Sequence, residues 1–284
     1  MDKANKSTYI VAAAALIIIL GAIYFLFIFN KKPKQIRSQD VQSEIKKVDD
    51  VDIAKRPYLT LTPTTDGAEV IISMENMGEF DKIEYELTYL ADNPQIAGEK
   101  IQRGSTGTDI DTKSPQYKKS ILLGTASKGV RSPDKNVSDG KLTLHMFKGG
   151  IEYQSETPWL LKKEGATADI ITDPSGKFKF NIPNMGKDYW MILTETVGIP
   201  PNYKDFKPQD VVLPINAIFT IGPKFTKAAD FTVTAGQDLK SPVVYKYDRS
   251  DNSWLKLQSS YDQSTKTIKA STDSTGSYTI VSPK

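Results

Sequence analysis

The sequence predicts an all-β fold: two antiparallel β-sandwiches in series, behind a single N-terminal transmembrane helix. Three observations predict it. Residues 8–29 carry no charged side chain. From residue 57 onward, apolar residues recur at every second position, the period of a half-buried strand. The runs are separated by turn-forming clusters, Thr65-Asp66-Gly67, Asn76-Met77-Gly78, Ser138-Asp139-Gly140 and Gly149-Gly150, and not by helix-period stretches.

A helix over residues 8–29 would span roughly 33 Å, against a hydrocarbon core of about 30 Å. Tyr9 at one end and Tyr24, Phe25, Phe27 and Phe29 at the other match the aromatic belts of membrane interfaces. A cleaved signal peptide is the alternative. The run is longer than a typical signal h-region, and Phe27-Ile28-Phe29-Asn30 has no small-x-small cleavage site. The reading is therefore an uncleaved signal-anchor, with residues 1–7 as its flank and the lipid bilayer as its partner. Lys31, Lys32, Lys34 and Arg37 follow the span, against Lys3 and Lys6 before it. Positive-inside counting alone would leave the body in the cytoplasm. Long C-terminal domains cross largely regardless of such charge, and a Thr- and Tyr-rich body suits display, so an extracytoplasmic body is expected.

Residues 30–56 read as a charged, solvated stalk; Val41, Ile45 and Val48 have the spacing of a short helix. Residues 57–163 form the first sandwich. Ala68, Val70, Ile72 and Met74 share one face of a strand, as do Ile83, Tyr85, Leu87 and Tyr89, and Leu142, Leu144 and Met146. His145 takes the opposite, solvent-facing side. Residues 92–116 are polar and read as a loop with edge-strand pieces. Residues 164–284 form the second sandwich, which begins with Phe178, Phe180 and Ile182 on one face. Each half is close to the size of one immunoglobulin-like sandwich, and each is expected to fold alone.

The last strands carry a cadence of Tyr245, Tyr247 and Asp248, a turn, then Trp254 and Leu257, Asp262, Ile268, and a closing Gly276, Tyr278 and Ile280. It resembles the closing strands of immunoglobulin-like or ZU5-like modules on membrane-anchored bacterial envelope proteins. The run from Phe80 to Asp92 is similar to immunoglobulin-like modules of such proteins. The resemblance implies the sandwich fold and a place in the cell envelope. Some ZU5-type modules cleave themselves at a His-Phe-Ser sequence. The matching place here reads Ser274-Thr275-Gly276-Ser277-Tyr278 and lacks the histidine base, so self-cleavage is not expected.

Composition narrows the chemistry. There is no cysteine and one histidine, which excludes disulfides, thiolate metal sites and thiol nucleophiles. A net charge of +3 without a basic cluster argues against nucleic acid as a partner. His145 has no nucleophile elbow to serve. Asp49/Asp50/Asp52, Asp109/Asp111 and Asp248/Asp251 lack calcium-loop spacing and read as solvated turn acids. Trp159, Trp190 and Trp254 could form a sugar platform, but core packing is the default reading. Leu213-Pro214-Ile215-Asn216-Ala217 is only superficially a sortase signal, being internal with no apolar tail after it. No catalytic, cofactor-binding or metal residue is assigned, and no cofactor is expected. The reading is a non-catalytic envelope protein displaying two β modules for binding or spacing, with an envelope protein or glycan as partner. The alternatives are a carbohydrate-binding or hydrolase-associated envelope protein, and a cytoplasm-facing scaffold.

Overall fold

The computed structural model of the chain describes residues 45–283. The expected anchor at 8–29, its flank and the stalk up to residue 44 lie outside the described residues. Among the described residues, no helix is long and apolar enough to cross a membrane. Regular structure there consists of β-strands and three short 3-10 turns, so the all-β expectation holds.

The first half runs β1 (Ile45–Lys47), β2 (Tyr58–Pro63), β3 (Glu69–Glu75), β4 (Lys82–Asp92), β5 (Lys100–Gly107), β6 (Gln116–Leu122), β7 (Gly124–Ser127), β8 (Val130–Pro133), β9 (Ser138–Lys148) and β10 (Ile151–Glu164). The second runs β11 (Asp169–Thr172), β12 (Phe178–Ile182), β13 (Tyr189–Thr196), β14 (Val211–Thr220), β15 (Ala229–Thr234), β16 (Val243–Asp248), β17 (Ser253–Lys256), β18 (Ser259–Asp262), β19 (Thr267–Thr272) and β20 (Gly276–Val281). The faces assigned from the alternation are buried: Val70, Ile72, Ile83, Leu87, Leu142, Leu144, Phe178 and Phe180 each have no accessible surface. The polar stretch 92–116 contains β5, an eight-residue edge strand on β4.

The strands do not close two separate sandwiches at residue 163. One large sheet, in the order β17-β16-β20-β14-β13-β10-β9-β4-β5, runs through both halves, with β1 added beside β10. β10 ends at the expected boundary and pairs there with β13, from Trp159↔Thr194 to Glu164↔Tyr189. Two smaller sheets, β2-β3-β6 and β11-β12-β15-β19-β18, cover this sheet from opposite sides. Neighbouring residues on β13 show it: Ile192 joins the first core, while Met191 and Leu193 join the second. Likewise Trp159 and Leu161 face the first core and Leu160 the second. A strand buried on both faces reads as a continuous apolar run. Trp159-Leu160-Leu161 and Trp190-Met191-Ile192-Leu193 are such runs, and they mark where the halves join.

A second departure concerns the expected stalk. Residues 45–56 lie on the body, with Val48 and Ile53 buried and β1 pairing in parallel with β10, Ile45↔Glu152 to Lys47↔Gln154. Ile45 is therefore in a strand and not in the short helix its spacing allowed. The physical reason is Arg56, whose guanidinium is buried and holds the segment in a tight loop. Its Nε donates to the Val51 carbonyl (2.8 Å) and its Nη1 to Asp49 Oδ1 (2.8 Å).

Candidate functional site

A cleft of about 770 Å³ opens in the described body, lined from β1, β10, the β11–β12 turn, the end of β13 and the start of β14. It exists because β10 is longer than its partners on one edge. β1 pairs with it up to Gln154, and its pairing with β13 starts only at Trp159. Among the described residues, no strand lies beside 155–158 on that edge.

The pleat fixes which groups are left over. The β9–β10 hairpin turns on Gly149-Gly150, with Ile151 opposite Lys148. A two-residue hairpin closes on a hydrogen-bonded pair, so odd-numbered residues of β10 point their backbone groups at β9. Even-numbered residues point at the other edge. Pro158 has no N–H to leave unpaired, and its carbonyl accepts from Thr194 Oγ1 (3.0 Å). The N–H and C=O of Glu156 remain without a strand partner among the described residues.

Glu195 is the second unusual group. It stands on β13 on the same face as Leu193, and Leu193 is the partner of Leu160 on β10. By the alternation of strands, Glu156 and Glu195 therefore share one face, and both line the cleft. Burial pushes the Glu195 carboxyl up to about 6, with a further upward push from the Asp173 carboxylate and a smaller opposing effect from Lys177. Asp173 is itself held in the β11–β12 turn, accepting from the N–H of Phe178 (2.7 Å) and of Ser175 (3.1 Å). No ion pair or hydrogen bond among the described residues answers the Glu195 carboxylate.

That arrangement costs stability. An acid whose pKa is raised on folding contributes stability below its unfolded pKa, and the contribution is lost as pH rises through the folded value. Glu195→Gln is thus expected to raise unfolding stability at pH 7 by about 2 kcal/mol, the equivalent of a shift from about 4.5 to about 6. The gain should vanish below about pH 4.5. Urea unfolding of both proteins at the two pH values measures it; an equal difference at both would contradict the assignment.

The residues singled out from the sequence fall elsewhere. His145 is half-buried, and its Nδ1 lies 2.7 Å from Glu152 Oε1, so it faces a carboxylate and not open solvent. Asp49 answers Arg56. Asp111 and Asp248 accept from backbone N–H groups two residues on, at Lys113 (3.0 Å) and Ser250 (2.9 Å), as turn acids do. The tryptophans form no shared platform: Trp159 is in the first core, Trp254 in a separate cluster with Tyr245 and Tyr247, and Trp190 lies partly buried at the edge of the first core. Leu213 and Pro214 of the sortase-like run line the cleft. Ser274 is hydrogen-bonded to Asp273 (2.7 Å) and to the buried Lys246.

Glu156 and Glu195 were not found by sequence reasoning. Two faint signals existed: a proline inside β10, and an acid ending the apolar run of β13. No family model matches the chain, and no curated protein matches it.

Proposed function

We propose that the chain is a single-pass, membrane-anchored envelope protein whose body binds a partner and spaces it from the membrane, without catalysis. The reading rests on the charge-free stretch 8–29, of membrane-spanning length, ahead of an all-β body. The resemblance of the terminal strands to immunoglobulin-like and ZU5-like envelope modules supports the same assignment. The cleft between β1 and β13 supports a binding role, since it offers unpaired hydrogen-bonding groups. The sugar-binding alternative gains nothing from this cleft, because no aromatic side chain among the described residues lines it and stacking on aromatic faces is what sugar platforms use.

Full-length protein should stay in the membrane fraction after alkaline washing and keep Met1 or Asp2 at its N-terminus. A mature N-terminus beyond Phe29 would overturn the anchor. The native chain has no cysteine, so a single Val130→Cys change on exposed β8 reports the side of the membrane. Labelling by a membrane-impermeant maleimide in intact cells is expected. Labelling only after the inner membrane is permeabilised would place the body in the cytoplasm.

A further inference from the structure

We propose that the cleft binds an extended polypeptide carrying lysine or arginine, paired as one strand rung with Glu156 and held by its basic side chain at Glu195. The inference deepens the binding role above by naming the partner's chemistry.

Two independent features converge on it. The first is the backbone of β10. Unpaired N–H and C=O groups on a sheet edge are what an added peptide strand satisfies. Here they belong to Glu156, since the strands on either side stop short at Gln154 and Trp159. An occupant with its own donor and acceptor at peptide spacing meets both groups at once. The second is Glu195, a half-buried carboxylate in the same cleft that its surroundings leave unanswered. Lys177 is near enough to oppose the rise of its pKa but forms no ion pair with it. A partly buried carboxylate gains most from a cation that arrives with hydrogen-bond donors. Glu156 adds a second carboxylate on the same face, tied among the described residues to the exposed Lys141 at 3.3 Å.

The walls suit a peptide's side chains. Leu213 and Pro214 give apolar surface, with Leu213 well exposed at 43%, while Ser175 contributes a hydroxyl. The volume of about 770 Å³ lies within the range of ligand clefts, roughly 300–1,000 Å³. Among the described residues, no aromatic face lines the cleft for a sugar ring or a nucleobase to stack on.

The test uses the full-length chain in non-ionic detergent and three fluorescent octapeptides, read by anisotropy at low salt. One alternates threonine and lysine. One alternates threonine and glutamate. The third repeats the first with its central amides N-methylated, which removes strand pairing and keeps the charge. The lysine peptide should bind at least ~10-fold tighter than the glutamate peptide and the N-methylated peptide, a difference of the size one good charge-assisted contact supplies. Glu195→Gln should bring it down to the level of the glutamate peptide. Because that variant is expected to be more stable than the native chain, its loss of binding cannot be charged to unfolding. Equal binding of the three peptides, no binding of the lysine peptide, or an unaffected Glu195→Gln variant would each overturn the proposal. None of these outcomes touches the anchor, which membrane fractionation decides separately.

Discussion

Fragments 57–163 and 164–284, made separately, are expected not to fold on their own, and the intact body is expected to unfold in one cooperative transition. The cut falls where β10 pairs with β13 over the six residue pairs from Trp159↔Thr194 to Glu164↔Tyr189. Each ladder bond contributes about 1 kcal/mol net. The first core also takes Ile192 and Val197 from the second half, at about 1.5–3 kcal/mol for each buried side chain. In return Tyr58 of β2 is buried among Tyr245, Tyr247 and Trp254 of the second half, with its hydroxyl 2.8 Å from Ser277 Oγ. The sum approaches 10 kcal/mol, comparable with the whole stability of an ordinary domain, about 5–15 kcal/mol. Each fragment would also expose an apolar strand edge, which favours aggregation. Chemical denaturation followed by circular dichroism checks this. Cooperative unfolding of either fragment alone would show that the halves are self-sufficient, as their lengths by themselves suggest.

Trp159→Ala should be the most damaging single substitution on the seam, lowering stability by about 3–5 kcal/mol. The indole is 1% exposed, and its ring lies 6.1 Å from that of Tyr89. It sits over Gly140, its partner on β9. A Cβ added to Gly140 would come within 2.3 Å of the indole, so the glycine is there to admit the ring. The same strand position faces Thr194 of β13, so a cavity at Trp159 weakens the core and the junction together. The indole Nε1 has no hydrogen-bond partner among the described residues. Trp159→Phe removes that unmet donor while keeping an aromatic ring, and should cost far less than alanine. Urea midpoints for the two variants give the comparison. A loss under about 1 kcal/mol for the alanine variant would mean that the site collapses around the cavity, against the large-to-small pattern.

The strand faces were legible because alternation depends only on local pleating. Phe178, Phe180 and Ile182 could be placed on one face with no knowledge of what covers them. Partnership was not legible, because a period of two assigns faces and says nothing of neighbours. The seam did leave a mark in Trp159-Leu160-Leu161 and Trp190-Met191-Ile192-Leu193, whose unbroken apolar runs break the alternation. Residues 45–56 hid for another reason. Val48 and Ile53 are sparse apolar positions among charges, and the segment docks through Arg56, whose burial depends on Asp49 seven residues earlier meeting it. The cleft was the least legible part. It is defined by strands that stop short, and Pro158 alone hinted that β10 runs unpartnered there.

The shared sheet also has a mechanical meaning. Nine strands lie side by side from β17 to β5, a width of roughly 38 Å at about 4.8 Å per strand spacing. Two closed modules joined by a linker would swing about that linker, and a pull would first straighten it. Here there is no hinge at the midline: a load on one half reaches the other through the hydrogen bonds of β10 and β13 strained side by side. The body would act as a strut, holding whatever binds at one edge at a set distance from the other.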